Sequence, residues 1–139
     1  MMRHLMAAVL AALFSQGVIA QESANPAPAD AKAYIISPAD GATVPQTFHV
    51  QFGLMGMGVA PAGTDKANTG HHHLMIDGKQ MPMAGKAMGE EVMHFGGGQT
   101  ETTLTLPPGK HTLQLILGDM AHAPHHPPVM SEVVTITVE

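Results

Sequence analysis

Phe48-His49-Val50-Gln51-Phe52-Gly53-Leu54 is the stretch that decides the fold. Phe48, Val50, Phe52 and Leu54 alternate with His49, Gln51 and Gly53. Period-two alternation puts the four apolar side chains on one face of an extended chain, the pattern of a half-buried strand. Working outward, residues 33–37 form an earlier strand, closed by the turn cluster Ser37-Pro38-Ala39-Asp40-Gly41. Residues 72–77 form a third, ended by the Asp77-Gly78 turn signal. Residues 101–106 follow, with Leu104 and Leu106 inward. Pro107-Pro108-Gly109 then turns the chain into residues 111–117, where Leu113, Leu115 and Leu117 share a face. Residues 132–138 close the domain with Val134, Ile136 and Val138 inward. A seventh strand is expected between Gln80 and Val92, and no amphipathic helix of useful length appears after residue 31. Antiparallel strands with one buried face stack as two sheets. The expected fold is therefore all-β, an immunoglobulin-like or cupredoxin-like antiparallel β-sandwich of about seven strands.

The 139 residues leave room for one such domain. Residues 1–20 read as a signal peptide: Arg3 and His4 precede an apolar run from Leu5 to Phe14, with Val18 and Ala20 at the −3 and −1 positions of a cleavage site. The run is shorter than the roughly 20 residues a membrane span needs, so no span is expected after cleavage, and the compartment is the periplasm. Residues 21–31 carry two prolines without periodicity and read as a flexible leader; residues 32–139 are the sandwich. A net charge of −5, with a single Arg and dispersed Lys, provides no basic patch for nucleic acid. Cysteine is absent, which removes disulfides, thiolate metal sites and a Cys nucleophile. The 12 Met and 10 His direct attention instead to imidazole and thioether chemistry.

Gly70-His71-His72-His73-Leu74-Met75-Ile76-Asp77 is the first candidate site. Alternation places His71, His73 and Met75 on one face and His72 with the core residues on the other. Residues two apart on a strand lie about 6.5–7 Å apart at Cα, close enough for two imidazoles to hold one ion. Asp119-Met120-Ala121-His122-Ala123-Pro124-His125-His126-Pro127-Pro128 is the second, with His122 and His125 presented on a Pro-stiffened loop. The third is His94, ahead of Gly96-Gly97-Gly98, glycines that permit close backbone approach. Met55-Gly56-Met57, Met81-Pro82-Met83 and Met75 offer thioethers, which favour Cu(I), while imidazole suits Cu(II) and Zn(II). Each residue also has an ordinary role open to it: a surface His, a Pro-rich loop, a gap-filling Met. No His-Glu-x-x-His and no Gly-x-Ser-x-Gly element is present, so the chain reads as a binder rather than a catalyst.

Together, Gly70–Asp77, the run His94-Phe95-Gly96-Gly97-Gly98-Gln99-Thr100-Glu101, the run Leu106-Pro107-Pro108-Gly109-Lys110-His111, and His122-Ala123-Pro124-His125-His126-Pro127-Pro128-Val129 resemble a secreted bacterial family catalogued as a domain of unknown function. The resemblance covers roughly residues 45–139 and implies a small periplasmic β domain. His126 stands where that family more often has Asp. Ser37–Val44 followed by Phe48–Phe52 is also similar to the opening strands of immunoglobulin-like periplasmic copper-resistance proteins.

The expected function is a periplasmic metal-binding protein. Copper is the expected ion and zinc the second choice; the role is storage, delivery or detoxification, with another periplasmic protein as a partner. The expected ligands are His71, His73, His94, His122 and His125, with Met55, Met57 and Met75 as thioether donors. Unperturbed imidazoles would release the ion as pH falls through about 6.5. Two other readings stay open: a metal-free cell-envelope interaction module using the His-rich loops, and a metal-dependent hydrolase with Asp77 or Glu90 as base.

Overall fold

The computed structural model describes residues 24–139; the expected signal segment lies outside them. The strands in chain order are β1 (Lys32–Ser37), β2 (Thr43–Val44), β3 (Thr47–Met55), β4 (Gly58–Val59), β5 (Thr69–Ile76), β6 (Met93–His94), β7 (Glu101–Thr105), β8 (Gly109–Gly118) and β9 (Val134–Val138). No helix among the described residues is long and apolar enough to cross a membrane. Strands β1-β3-β7 form one antiparallel sheet, and β2-β9-β8-β5-β4 the other, with β6 also paired to β5. The protein is an all-β, sandwich-like fold of two sheets.

The alternation of β3 holds in three dimensions: Phe48, Val50 and Phe52 are buried and meet Leu74, Leu104, Leu113, Leu115, Leu117, Val134, Ile136 and Val138 in one core. Leu113, Leu115 and Leu117 are fully buried, as their shared parity requires. Two pairings depart from the antiparallel expectation: β2 runs parallel to β9, and β4 parallel to β5. Both involve strands of two residues, too short to carry a periodicity. The seventh strand expected within residues 80–92 is absent from that segment. β6 follows it instead, and residues 78–92 cover the outer face of the larger sheet.

That cover makes a second, smaller core of Met75, Met88, Val92 and Ile116, with Met130 against it. β5 is thereby buried on both faces from Gly70 to Met75. Residues 24–31, expected as a flexible leader, lie against the loop after β8. Ala27 N donates to His126 O, His126 N donates to Asn25 O, and the Asn25 side-chain amide donates to the Asp119 carboxylate. Ala27 and Ala31 also pack on the main core, contacts that an aperiodic stretch with two prolines did not foreshadow.

Leu115 tests the sheet-to-sheet core. Leu115→Ala removes a fully buried side chain and is expected to cost about 2–5 kcal/mol, measured by urea unfolding. A loss below about 1 kcal/mol, the size of an ordinary surface substitution's effect or little more, would mean the sheets do not pack as described.

Candidate metal centre

His71, His73, His94 and His122 converge. Each offers a ring nitrogen, and the four nitrogens all lie within 4.8 Å of one another. Ring centroids are 4.6 Å apart for His71–His73, 5.0 Å for His71–His94, 5.2 Å for His73–His94 and 4.5 Å for His94–His122. A tetrahedral shell with metal–nitrogen bonds of about 2.05 Å has edges of about 3.3 Å. The rings therefore need to close by about 1.5 Å at the widest pair, which side-chain torsions on the two rim residues can supply.

Each element contributes for a local reason. β5 supplies His71 and His73 from one face. β6 brings His94 directly opposite His73 in the antiparallel register. His71 lies opposite Gly118, the last residue of β8. A side chain at Gly118 would collide with the His73 ring and come within 3.3 Å of the Met88 methyl, so its bare backbone gives the imidazole its place. The His94 ring occupies the corresponding space beside Gly96. His122 takes a left-handed backbone conformation, φ 66°. The turn that holds it is tied by Asp119, whose carboxylate accepts from Ala121 N and Ala123 N, and by Met88 N donating to His122 O. His71 Nε2 and His122 Nδ1 are hydrogen-bonded at 3.1 Å.

Two donors are buried and two face outward: His71 and His73 form the floor, His94 is exposed and His122 half-buried. The floor is electrostatically unusual. Burial, then the neighbouring His122 and His94, push His71 down to about 4. Burial and the surrounding imidazoles push His73 down to about 3. Burial, followed by His122, also lowers His94. The floor imidazoles are therefore neutral at pH 7, the form that binds metal. His71 Nδ1 and both ring nitrogens of His73 have no hydrogen-bond partner. A buried polar atom left unpaired costs about 1–3 kcal/mol, and a metal ion would remove that cost for the one His73 nitrogen it bonds.

The remaining expected ligands lie elsewhere. His125 is buried beside Asn25, Thr69 and Asp119, in a polar hollow lined by the leader and residues 64–69. The chain pins it there: Gly118 bridges Pro124, and Pro26 bridges His126, so the extended run past the His122 turn carries His125 away from the other four. Met75 shares the His71–His73 face as expected but packs in the second core. Met57 packs against the main core, and Met55 is exposed at the end of β3 opposite Lys32. Asp77, considered as a base, is bonded to His111 Nδ1 at 2.7 Å and accepts from Thr112 N, and that contact raises the His111 pKa. Sequence reasoning passed over Met88. With His73, His94, His122 and Glu90 it lines the open hollow above the four imidazoles. Nothing in its own neighbourhood marks it out, because its position comes from the 78–92 cover.

A family profile described as a domain of unknown function, DUF4399, matches residues 50–139, a span that includes all four imidazoles. The chain belongs to this family. No curated protein and no solved structure matches it. As a DUF4399 protein, the chain keeps the four converging imidazoles and His125 alike inside the matched span.

His72 points the other way, into the main core against Phe52 at 5.3 Å, with both ring nitrogens unpaired. Burial lowers its pKa to about 4. Between pH 6.5 and about 4 the unfolded chain takes up a proton at this position and the folded chain does not. Stability is therefore fully present above pH 6.5 and declines as pH falls toward 4, with a slope approaching about 1.4 kcal/mol per pH unit for each such group. His71 and His73 add to the same slope. His72→Leu is expected to flatten the decline between pH 7 and 5 in thermal melts. An unchanged slope would show that His72 is not buried neutral.

Proposed function

We propose that this protein binds copper in the periplasm through His71, His73, His94 and His122, in storage, delivery or detoxification. The observation that supports this most is the convergence of four ring nitrogens, with partnerless imidazole nitrogens at the buried end. Nitrogen donors bind Cu(II) more tightly than the other common divalent ions, zinc included, and the chain has no thiolate to redirect that order. Zinc is the second choice.

Two exposed or half-exposed donors at the mouth suit an ion that must enter and leave. Asp119 lies close enough to favour positive charge at His71, and Glu90 at the hollow offsets charge further. Four protein donors fill the shell of a four-coordinate ion, whereas a catalytic zinc keeps one position for water. Binding therefore accounts for the arrangement better than hydrolysis.

Titration with Cu(II) and Zn(II) is expected to show one tight site. His71→Ala with His73→Ala weakens it by more than about 100-fold, since loss of even a ligand's outer partner costs about 10–100-fold. His125→Ala leaves affinity unchanged. No binding tighter than about micromolar for either ion would overturn the reading.

Proton competition also differs from that of free imidazole. With His71 near 4 and His73 near 3, these two donors meet little proton competition from pH 7.5 to about 5, so affinity is expected to fall less steeply over that range than four ordinary imidazoles would require, and to be lost by about pH 3. Competition titrations at pH 7.5, 6.0 and 4.5 measure this. A steep loss centred on pH 6.5 would contradict buried, neutral ligands.

A further inference from the structure

Beside the histidine centre, residues 78–91 form a groove lined by four methionines: Met75, Met81, Met83 and Met88. Their exposure mirrors that of the imidazoles. Met75 and Met88 are buried, at 6% and 9%, whereas Met81 and Met83 stand out at 44% and 69%. The Met75 sulfur occupies the space a side chain at Gly78 would need, which turns the thioether toward the groove wall. Met88 is common to the groove and to the hollow above His73, His94 and His122. Lys79, Lys86 and Glu91 also line the groove. Their charges do not favour a hard divalent cation, so a cation held here must bond through soft sulfur, and thioether donors select Cu(I).

We infer that this methionine groove is a separate Cu(I) site, contiguous through Met88 with the histidine centre. Met81 and Met83, unbranched and flexible, close over the ion from the rim while Met75 and Met88 receive it from below. The ion arrives and leaves as Cu(I), so no electron is exchanged. The inference deepens the copper reading, but the groove binds on its own and can be tested without the histidine centre.

The test uses the chain with 13C-labelled methionine methyls and Ag(I), a redox-inert stand-in for Cu(I), in chloride-free buffer. It is run on the wild type and on His71→Ala with His73→Ala. One equivalent of Ag(I) is expected to shift the methyls of Met75, Met81, Met83 and Met88 in both proteins, while Met55 and Met57 stay still and Zn(II) moves none of the four in the double variant. Met81→Leu with Met83→Leu, near-isosteric changes, is expected to weaken Cu(I) at least about tenfold against a chromophoric chelator under anaerobic conditions and to leave Cu(II) affinity unchanged. Shifts spread evenly over all exposed methionines, or none in the groove, would overturn the inference. Groove shifts without Cu(II) binding in the wild type would uphold it while defeating the histidine reading.

Discussion

Strand β5 lies between two layers, and its burial on both faces from Gly70 to Met75 sets the environment of all three of its histidines. On one side are the main core and the β1-β3-β7 sheet. On the other are residues 78–92 and the turn after β8. A strand in that position normally carries apolar residues throughout. Here three consecutive imidazoles occupy it, and two of them have ring nitrogens with no partner at all. The desolvation of these rings is what keeps His71 and His73 neutral, and His71 Nδ1 and both His73 nitrogens are left unsatisfied. A single physical cost thus prepares the donors and creates the demand for something to bind them.

The neighbouring elements work from that constraint. β8 pairs with β5 along six residues and ends in Gly118, the one residue type that leaves room for the His73 ring. β6 is only two residues long, yet its register sets His94 across from His73. The Asp119-tied turn swings His122 over His71. The 78–92 segment closes the outer face with thioethers and aliphatic carbon, and so keeps bulk water from the floor while leaving His94 and His122 at the mouth. Binding and access are in this way divided: His71 and His73 sit on a strand packed on both faces, and the rim histidines sit on the two-residue β6 and on the Asp119-tied turn.

Much of this was written in local sequence. The alternation of Phe48, Val50 and Phe52 fixed the inward face of β3, and the same parity rule separated His71 and His73 from His72. The split between His122 and His125 was not legible. It depends on a left-handed residue at His122 and on bridges from Pro124 to Gly118 and from His126 to Pro26, which no spacing rule encodes. Met88 was invisible for a related reason: the segment carrying it is neither strand nor helix, and its place follows from covering the sheet. The parallel pairs β2–β9 and β4–β5 escaped because two residues cannot show a period. Residues 24–31 looked like a linker by composition, yet they dock through backbone hydrogen bonds, which composition does not report.

The central claim is that one ion is held jointly by the two strand histidines, the β6 histidine and the turn histidine. A crystal structure of the protein loaded with one equivalent of Cu(II) tests it most directly. The account predicts a single ion about 2.0–2.1 Å from ring nitrogens of His71, His73, His94 and His122, with the backbone of β5 and β8 unmoved and His125 outside the shell. An ion found instead at surface histidines such as His49 or His126, with the four central rings still unbonded, would contradict it.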